Sequence, residues 1–401
     1  MGDLSSLTLI KPIVGQSMVK FKILDDLFKD VVIRQDTVVF YIDVYAIVCR
    51  CYNPNMVEKI NHMNPKMVLI DFVVSIMNCL GHYRFFTVKN LGKKSKIVLT
   101  HETKLTPYQE QLYPDYRYDR IKKFDLDDPV YGDMNKILMD AYKFVQSICT
   151  YLEGIYVIDP DIGVDGDTIA ALLRNSDQFK DCFHVLFTRN LAATQLVSDD
   201  TVVFFNKRED SVVLTRKNCL TEGIFKRRCS KETKQKFAKQ ISPSLIPYIC
   251  MLAGCEHYLK PFKRNFPIDV AAKLIIKMLE NGDITRNVAL PTFLEQLERY
   301  QHLAHDKKKD LNLDLPYYDK DDYNELINRY RVISIPLNAL AATKSQILAI
   351  YKRLVDVYNQ PYLDDVSDML SALKDPDRLI DFDKLNANKP YEDEDYDGSW
   401  W

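Results

Sequence analysis

Carboxylates at two places and cationic side chains at two others are the residues whose types and spacing could do chemistry. Asp43 closes the apolar run TVVFYIDV (Thr37–Val44), and Asp165 and Asp167 sit at the head of GVDGDTIAALL (Gly163–Leu173). An acid at the C-terminal end of a buried strand, and acids in the first turn of a helix, both stand where α/β proteins place functional groups. Asp159, Asp161, Asp199 and Asp200 lie close to these in the chain and could join them. The segment LYPDYRYDR (Leu112–Arg120) interleaves Tyr113 and Tyr116 with Arg117 and Arg120, and Lys122 and Lys123 follow. Cations of this kind neutralise phosphates while aromatic faces stack bases without reading sequence; the alternative is a surface loop packed by its tyrosines. A second cluster, Lys226, Arg227, Arg228, Lys231, Lys234, Lys236 and Lys239, could place Arg228, Lys231 and Lys239 on one helix face, although a solvated charged face is the commoner meaning of such a run.

Elements that could hold these groups follow from the hydrophobic pattern. Strands are predicted at Thr37–Val44, Tyr83–Val88, Ile155–Ile158, Phe183–Thr188, Thr201–Phe205 and Ser211–Thr215. Helices are predicted at Lys66–Leu80, Gly132–Leu152 and from Asp167 to Arg174. Alternating strands and helices argue for an α/β layer sandwich with a mainly parallel sheet. After Glu222 the strand signal fades; helices are predicted at Pro243–Ala253 and Ile268–Glu280, and the helical character continues from Pro291 to Leu373.

Composition narrows the rest. With 401 residues, 47% of them hydrophobic, the chain can build a core and falls into two or three units at about 150 residues each. Lys and Arg number 54 against 56 Asp and Glu, so any nucleic-acid site must be local rather than a bulk property. The nine cysteines lack paired CxxC or His spacing and read as reduced core thiols, not a zinc site. No stretch of about 20 uncharged apolar residues and no signal peptide is visible, so no membrane partner is expected and the cytoplasm, or a virion interior, is the expected location. Gly2 formally fits a myristoylation pattern too short to carry weight. The tail YEDEDYDGSWW could place Trp400 and Trp401 in a protein partner's pocket, the alternative being an unstructured solubilising terminus.

Four segments, in order, resemble the flap endonuclease/phage 5′–3′ exonuclease (PIN-like 5′-nuclease) family. FYIDVYAIVCRCYN (Phe40–Asn53) is similar to the opening strand and helix, with Asp43 and Arg50 matching and Val44 in place of a Gly. LYPDYRYDR resembles the entrance to the helical arch. GVDGDTIAALL is similar to the metal-binding helix start, with Val164 and Gly166 at acidic positions. VLFTRNLAATQLVSDDTVVFF (Val185–Phe205) resembles a further strand pair, with Arg189, Asn190 and Ala192 at the Gly and two Asp positions. Beyond them, SPSLIPYICMLAGCEHYLKPF and VAAKLI are similar to the helix–three-turn–helix region, with Cys255 and Tyr258 where acids belong.

That resemblance implies an N-terminal extension (1–36), a PIN-like domain (37–221) with an arch segment near 104–130, a helical duplex-binding-like region (222–290), a helical extension (291–388) and the acidic aromatic tail (389–401). It implies nucleic acid as partner, DNA with a single-stranded 5′ end or junction, contacted by Arg50, Tyr113, Tyr116, Arg117, Arg120, Lys122, Lys123, Arg227, Arg228 and Lys231. Catalytic candidates reduce to Asp43, Asp165 and Asp167, because the second-strand acid aligns with Lys89. Two-metal hydrolysis needs several carboxylates around ions about 4 Å apart, whereas Mg²⁺ can be held by one or two. The expectation is therefore no cofactor, or Mg²⁺ or Mn²⁺ weakly bound by Asp43 and Asp167, in a catalytically degraded homologue of viral or phage type acting as a binding or assembly subunit. An active 5′–3′ exonuclease or flap endonuclease with rearranged ligands, and a purely structural subunit, remain as alternatives.

Overall fold

A computed structural model describes residues 21–101, 106–116, 125–205, 211–224, 229–255, 259–262, 266–305, 313 and 315–354. The fold is mixed α/β, with a mainly parallel six-stranded sheet in the order β3-β2-β1-β4-β5-β6. The strands are β1 (Thr37–Asp43), β2 (Lys94–Thr100), β3 (Ile155–Val157), β4 (Phe183–Thr188), β5 (Thr201–Phe205) and β6 (Val212–Leu214). Pairing is parallel for β1 with β2 and β4 and for β2 with β3, and antiparallel for β5 with β6. Two compact units divide the chain: Met1–Leu105, Ile121–Thr188 and Ala342–Trp401 form the first, Thr106–Arg120 and Arg189–Ala341 the second.

In the first unit the interior of β1 is buried throughout, as expected of a β-branched and aromatic strand paired on both sides. Helices α1 (Phe21–Phe28), α2 (Val44–Val48), α3 (Pro54–Asn61) and α4 (Pro65–Phe85) surround its start and continuation. The segment 65–90 is long and apolar enough to cross a membrane, yet 72% of its most apolar window is buried inside the protein, which marks a core helix. It also corrects the strand predicted at Tyr83–Val88. Tyr83, in the last turn of α4, stacks on Phe40 at 5.1 Å, and Phe86, about one helical turn on, meets Phe28 at 5.3 Å. A buried helix with apolar residues all round has the same composition as a buried strand, and spacing alone does not separate them. The strand in this place is β2, whose partly exposed first half carries two lysines and hides the pattern. Lys89 consequently lies in a π-helical turn (Phe86–Asn90), and Thr100 is the residue that ends the second strand.

Helices α5 (Pro107–Leu112), in the second unit, and α6 (Gly132–Cys149) and α7 (Gly166–Arg174), in the first, precede β4 in the chain. The second unit continues with α8 (Lys231–Gln240), α9 (Ile246–Ala253), α10 (Ile268–Glu280), α11 (Leu290–His305), α12 (Lys320–Ile333) and α13 (Ile335–Ala341), and α14 (Lys344–Lys352) returns to the first. Within the second unit Arg329 of α12 is 1% exposed. Its Nε donates to Met251 O at 2.8 Å, Nη1 to the Tyr113 hydroxyl at 3.2 Å, and Nη2 to Lys260 O. Glu325 stands 3.5 Å away, and the rings of Tyr113 and Phe262 flank the guanidinium at 5.8 and 5.4 Å. A buried charge is tolerated only when saturated in this way, and here three segments distant in sequence supply the saturation.

Replacing Arg329 by Met should strand the carbonyls of Met251 and Lys260 and cost about 3 kcal/mol. Urea unfolding checks this: an unchanged midpoint would mean that the guanidinium holds nothing.

Candidate functional site

Parallel pairing brings Asp43 into register with Thr100, so the C-terminal ends of β1 and β2 lie side by side. The chain turns directly from β1 into α2, and Asp43 is the cap of that helix: its Oδ1 accepts from Tyr45 N at 3.0 Å. Asp165 does the same for α7, accepting from Thr168 N at 2.8 Å, and is 3% exposed. Asp159, two residues beyond β3, caps the 3-10 turn Pro160–Ile162 by accepting from Asp161 N at 2.9 Å. Capping of orphan N–H groups is a structural task that aspartate performs well regardless of any chemistry.

The start of α7 is pressed against β2. A Cβ built on Gly166 would lie 2.5 Å from Thr100 Oγ1, closer than any side chain could settle without movement. Asp167 follows in the first turn, half-buried. Beneath the strand ends the buried Tyr142 hydroxyl donates between Ile158 O at 2.6 Å and Leu99 O at 3.0 Å. Its ionisation is pushed well above the phenol range, first by burial and then by Asp159, Cys149 and Asp43, with Arg353 opposing. The Asp159 carboxyl is raised by burial, and its cap hydrogen bond and Arg353 pull it back. Arg353 Nη2 approaches Asp159 Oδ2 at 3.5 Å, and Gln346 Nε2 donates to Ile162 O and Gly163 O at 3.0 and 3.2 Å.

Asp43, Asp165 and Asp167 are thus brought to one edge of the first unit, with Asp159 beside them. They fit a two-ion centre poorly: Asp43 and Asp165 each commit an oxygen to a helix cap, the Gly166 position is walled off by Thr100, and an arginine rather than a free carboxylate group faces Asp159. Among the described residues no group of three or more His, Cys, Asp or Glu could hold a metal ion.

Other sequence candidates fare differently. Tyr116 is 2% exposed and presents no open face to a base, and the Tyr113 hydroxyl is engaged by Arg329 and, at 3.5 Å, Glu325. Tyr116 is thus buried, and the half-buried Tyr113 has its hydroxyl and ring engaged within the second unit. Arg50 lies in the 3-10 turn Cys49–Tyr52. Lys231 and Lys236 are exposed on α8. Asn190 caps the 3-10 turn Leu191–Leu196 through Ala192 N at 2.9 Å, keeping the capping role of an aspartate without its charge. Asp199 pairs with Arg216 at 2.9 Å and Asp200 accepts from Thr201 at 3.0 Å, both in the second unit. Arg117, Arg120, Lys122, Lys123, Arg227, Arg228, Trp400 and Trp401, and the Arg50 side chain, lie outside the described residues. Sequence reasoning missed Tyr142, Arg353 and Gln346, because nothing in their local pattern signals a tertiary contact.

Gly166→Ala should cost about 1–3 kcal/mol through its collision with Thr100. Thr100→Ala in the same chain should recover most of that loss, a coupling readable as non-additive shifts in thermal unfolding; additive shifts would separate the two residues.

No family model matches the sequence, and no curated protein matches it. Among solved structures, the chain is similar to a flap endonuclease of bacteriophage T5 described as a pseudo-enzyme–product complex with DNA and metal ions, at TM-score 0.48 and 12% identity over 84% of this chain and 98% of that one. It is also similar to T5 5′-exonuclease with bound zinc, at TM-score 0.47 and 12% identity over 84% and 99% of the two chains.

Proposed function

We propose that this protein is a nucleic-acid-binding homologue of the 5′-nucleases in which two-metal hydrolysis has been lost. The observation that carries the reading is the sheet edge itself. Asp43, Asp165 and Asp167 stand at the strand and helix ends where the sequence resemblance places metal-binding acids, while Gly166 and Thr100 meet where a further carboxylate would have to fit. With one oxygen of Asp43 and one of Asp165 held by backbone N–H groups, the edge supports one weakly held Mg²⁺ or Mn²⁺ and not a pair. Nucleic acid is favoured by the order of the four resembling segments and by the exposed Lys231 and Lys236 of α8, cations able to meet phosphate. DNA with a single-stranded 5′ end or a junction is the proposed ligand, and a protein partner for the acidic tail is proposed alongside it.

Incubation with a labelled 5′-flap and a 5′-recessed duplex, in Mg²⁺ or Mn²⁺, should give binding without cleavage. Cleavage that Asp43→Ala abolishes would establish an active nuclease instead; neither binding nor cleavage would leave a structural subunit. Lys231→Ala with Lys236→Ala should weaken duplex binding and reduce its salt slope by about 2. An unchanged slope would remove α8 from the interface.

A further inference from the structure

The part of the sheet edge beside β3 is covered by a segment from near the end of the described chain. Helix α14 lies against the turn Pro160–Ile162, and contacts of three side chains tie its region to the chain between β3 and β4. Gln346 donates to Ile162 O and Gly163 O, Arg353 meets Asp159, and Leu354 O accepts from Gln178 Nε2 at 3.1 Å. All of these residues belong to the first unit. Asp159 is 4% exposed, so its charge is removed from water and needs a partner inside the protein. Arg353 supplies one, with its own side chain 25% exposed.

We propose that Arg353 is the resident counter-cation of this edge and α14 the strap that delivers it, so that negative charge which a divalent ion would otherwise neutralise is met from within the chain. This rests on reading the edge as the place of the family's metal centre, and it turns the poor fit of that edge to metal into a property of α14. A guanidinium on a tethered helix is present at constant effective concentration and cannot be chelated away. It also competes with a soluble cation at Asp159, since each opposes the other's approach to that carboxylate. The polar ties of Gln346 act on the loop that leads into Asp165, so the strap fixes the direction from which α7 starts.

The test uses the full chain and Mn²⁺, with loss of the free-ion resonance as the measure of binding and amide exchange across 159–167 as the measure of the strap. Arg353→Gln should bind Mn²⁺ about tenfold more tightly than the unsubstituted protein and should speed exchange at Ile162 and Gly163. Arg353→Lys, which keeps the charge, should bind Mn²⁺ like the unsubstituted protein. Gln346→Ala, which keeps the guanidinium but cuts the ties, should speed exchange with a smaller gain in Mn²⁺ affinity. Equal Mn²⁺ affinity for Arg353→Gln and the unsubstituted chain would overturn the proposal, as would Arg353→Lys behaving like Arg353→Gln. Should Arg353→Gln fail to fold, paramagnetic broadening decides: tight Mn²⁺ binding at Asp159 in the unsubstituted protein sinks the counter-cation, and its absence there together with the Gln346→Ala exchange result sustains it. Binding of the 5′-flap DNA, recorded on the same proteins, is independent of these outcomes and separates failure of the strap from failure of the nucleic-acid reading.

Discussion

Register between β1 and β2 is the constraint on which the candidate site depends. Parallel pairing of Asp43 with Thr100 aligns the strand ends, and every group at the edge is placed with reference to that line. A slip by one residue would turn each strand's side chains to the opposite face and carry Asp43 with them. The burial of β1 on both sides forbids such a slip, because Val38, Val39, Phe40 and Ile42 are each completely enclosed. The packing of α7 adds a second condition: only a glycine at position 166 allows the helix to start so near the hydroxyl of Thr100.

Aspartates at this edge have two occupations that a sequence does not distinguish. A parallel α/β sheet passes from strand to helix again and again, and each passage leaves unpaired N–H groups that an Asp or Asn can satisfy. Asp43, Asp159, Asp165 and Asn190 all work in this way. Capping thus accounts for an acid at such positions without any metal to explain it, and Asn190 performs the same task with no charge. The same reasoning tempers the aromatic segment around Tyr113 and Tyr116, where packing partners account for residues whose types alone suggest base stacking.

Much of the fold was legible in the sequence. β4, β5 and α10 have the bounds their hydrophobic runs predict, and β1 differs by the single residue at which α2 begins. Tyr83–Val88 was not legible, because a helix buried on all sides loses the polar stripe that identifies it, and β2 escaped because Lys94 and Lys96 break the apolar run of its first half. Of the site, the acids Asp43, Asp165 and Asp167 were visible as candidates from their place at element ends. The capping bonds of Asp43 and Asp165 are local, to N–H groups two or three residues on, but an acid at an element end reads equally as a cap or a ligand; the contact of Gly166 with Thr100 and the approach of Arg353 to Asp159 arise through tertiary packing that local pattern does not encode.

The saturation of Arg329 has a consequence for how the chain acquires its structure during synthesis. Its partners Tyr113, Met251 and Lys260 precede it by 216, 78 and 69 residues, so on a ribosome each is made well before the guanidinium that will hold it. Until α12 has left the exit tunnel, the carbonyls of Met251 and Lys260 and the segment around α5 must remain hydrated or borrow other partners. Closing loops of that length is slow, and the interval leaves apolar surface open to aggregation. Premature termination anywhere upstream of Arg329 would therefore release a second unit without its central cation, a species expected to be a substrate for chaperones and proteases rather than a functional fragment.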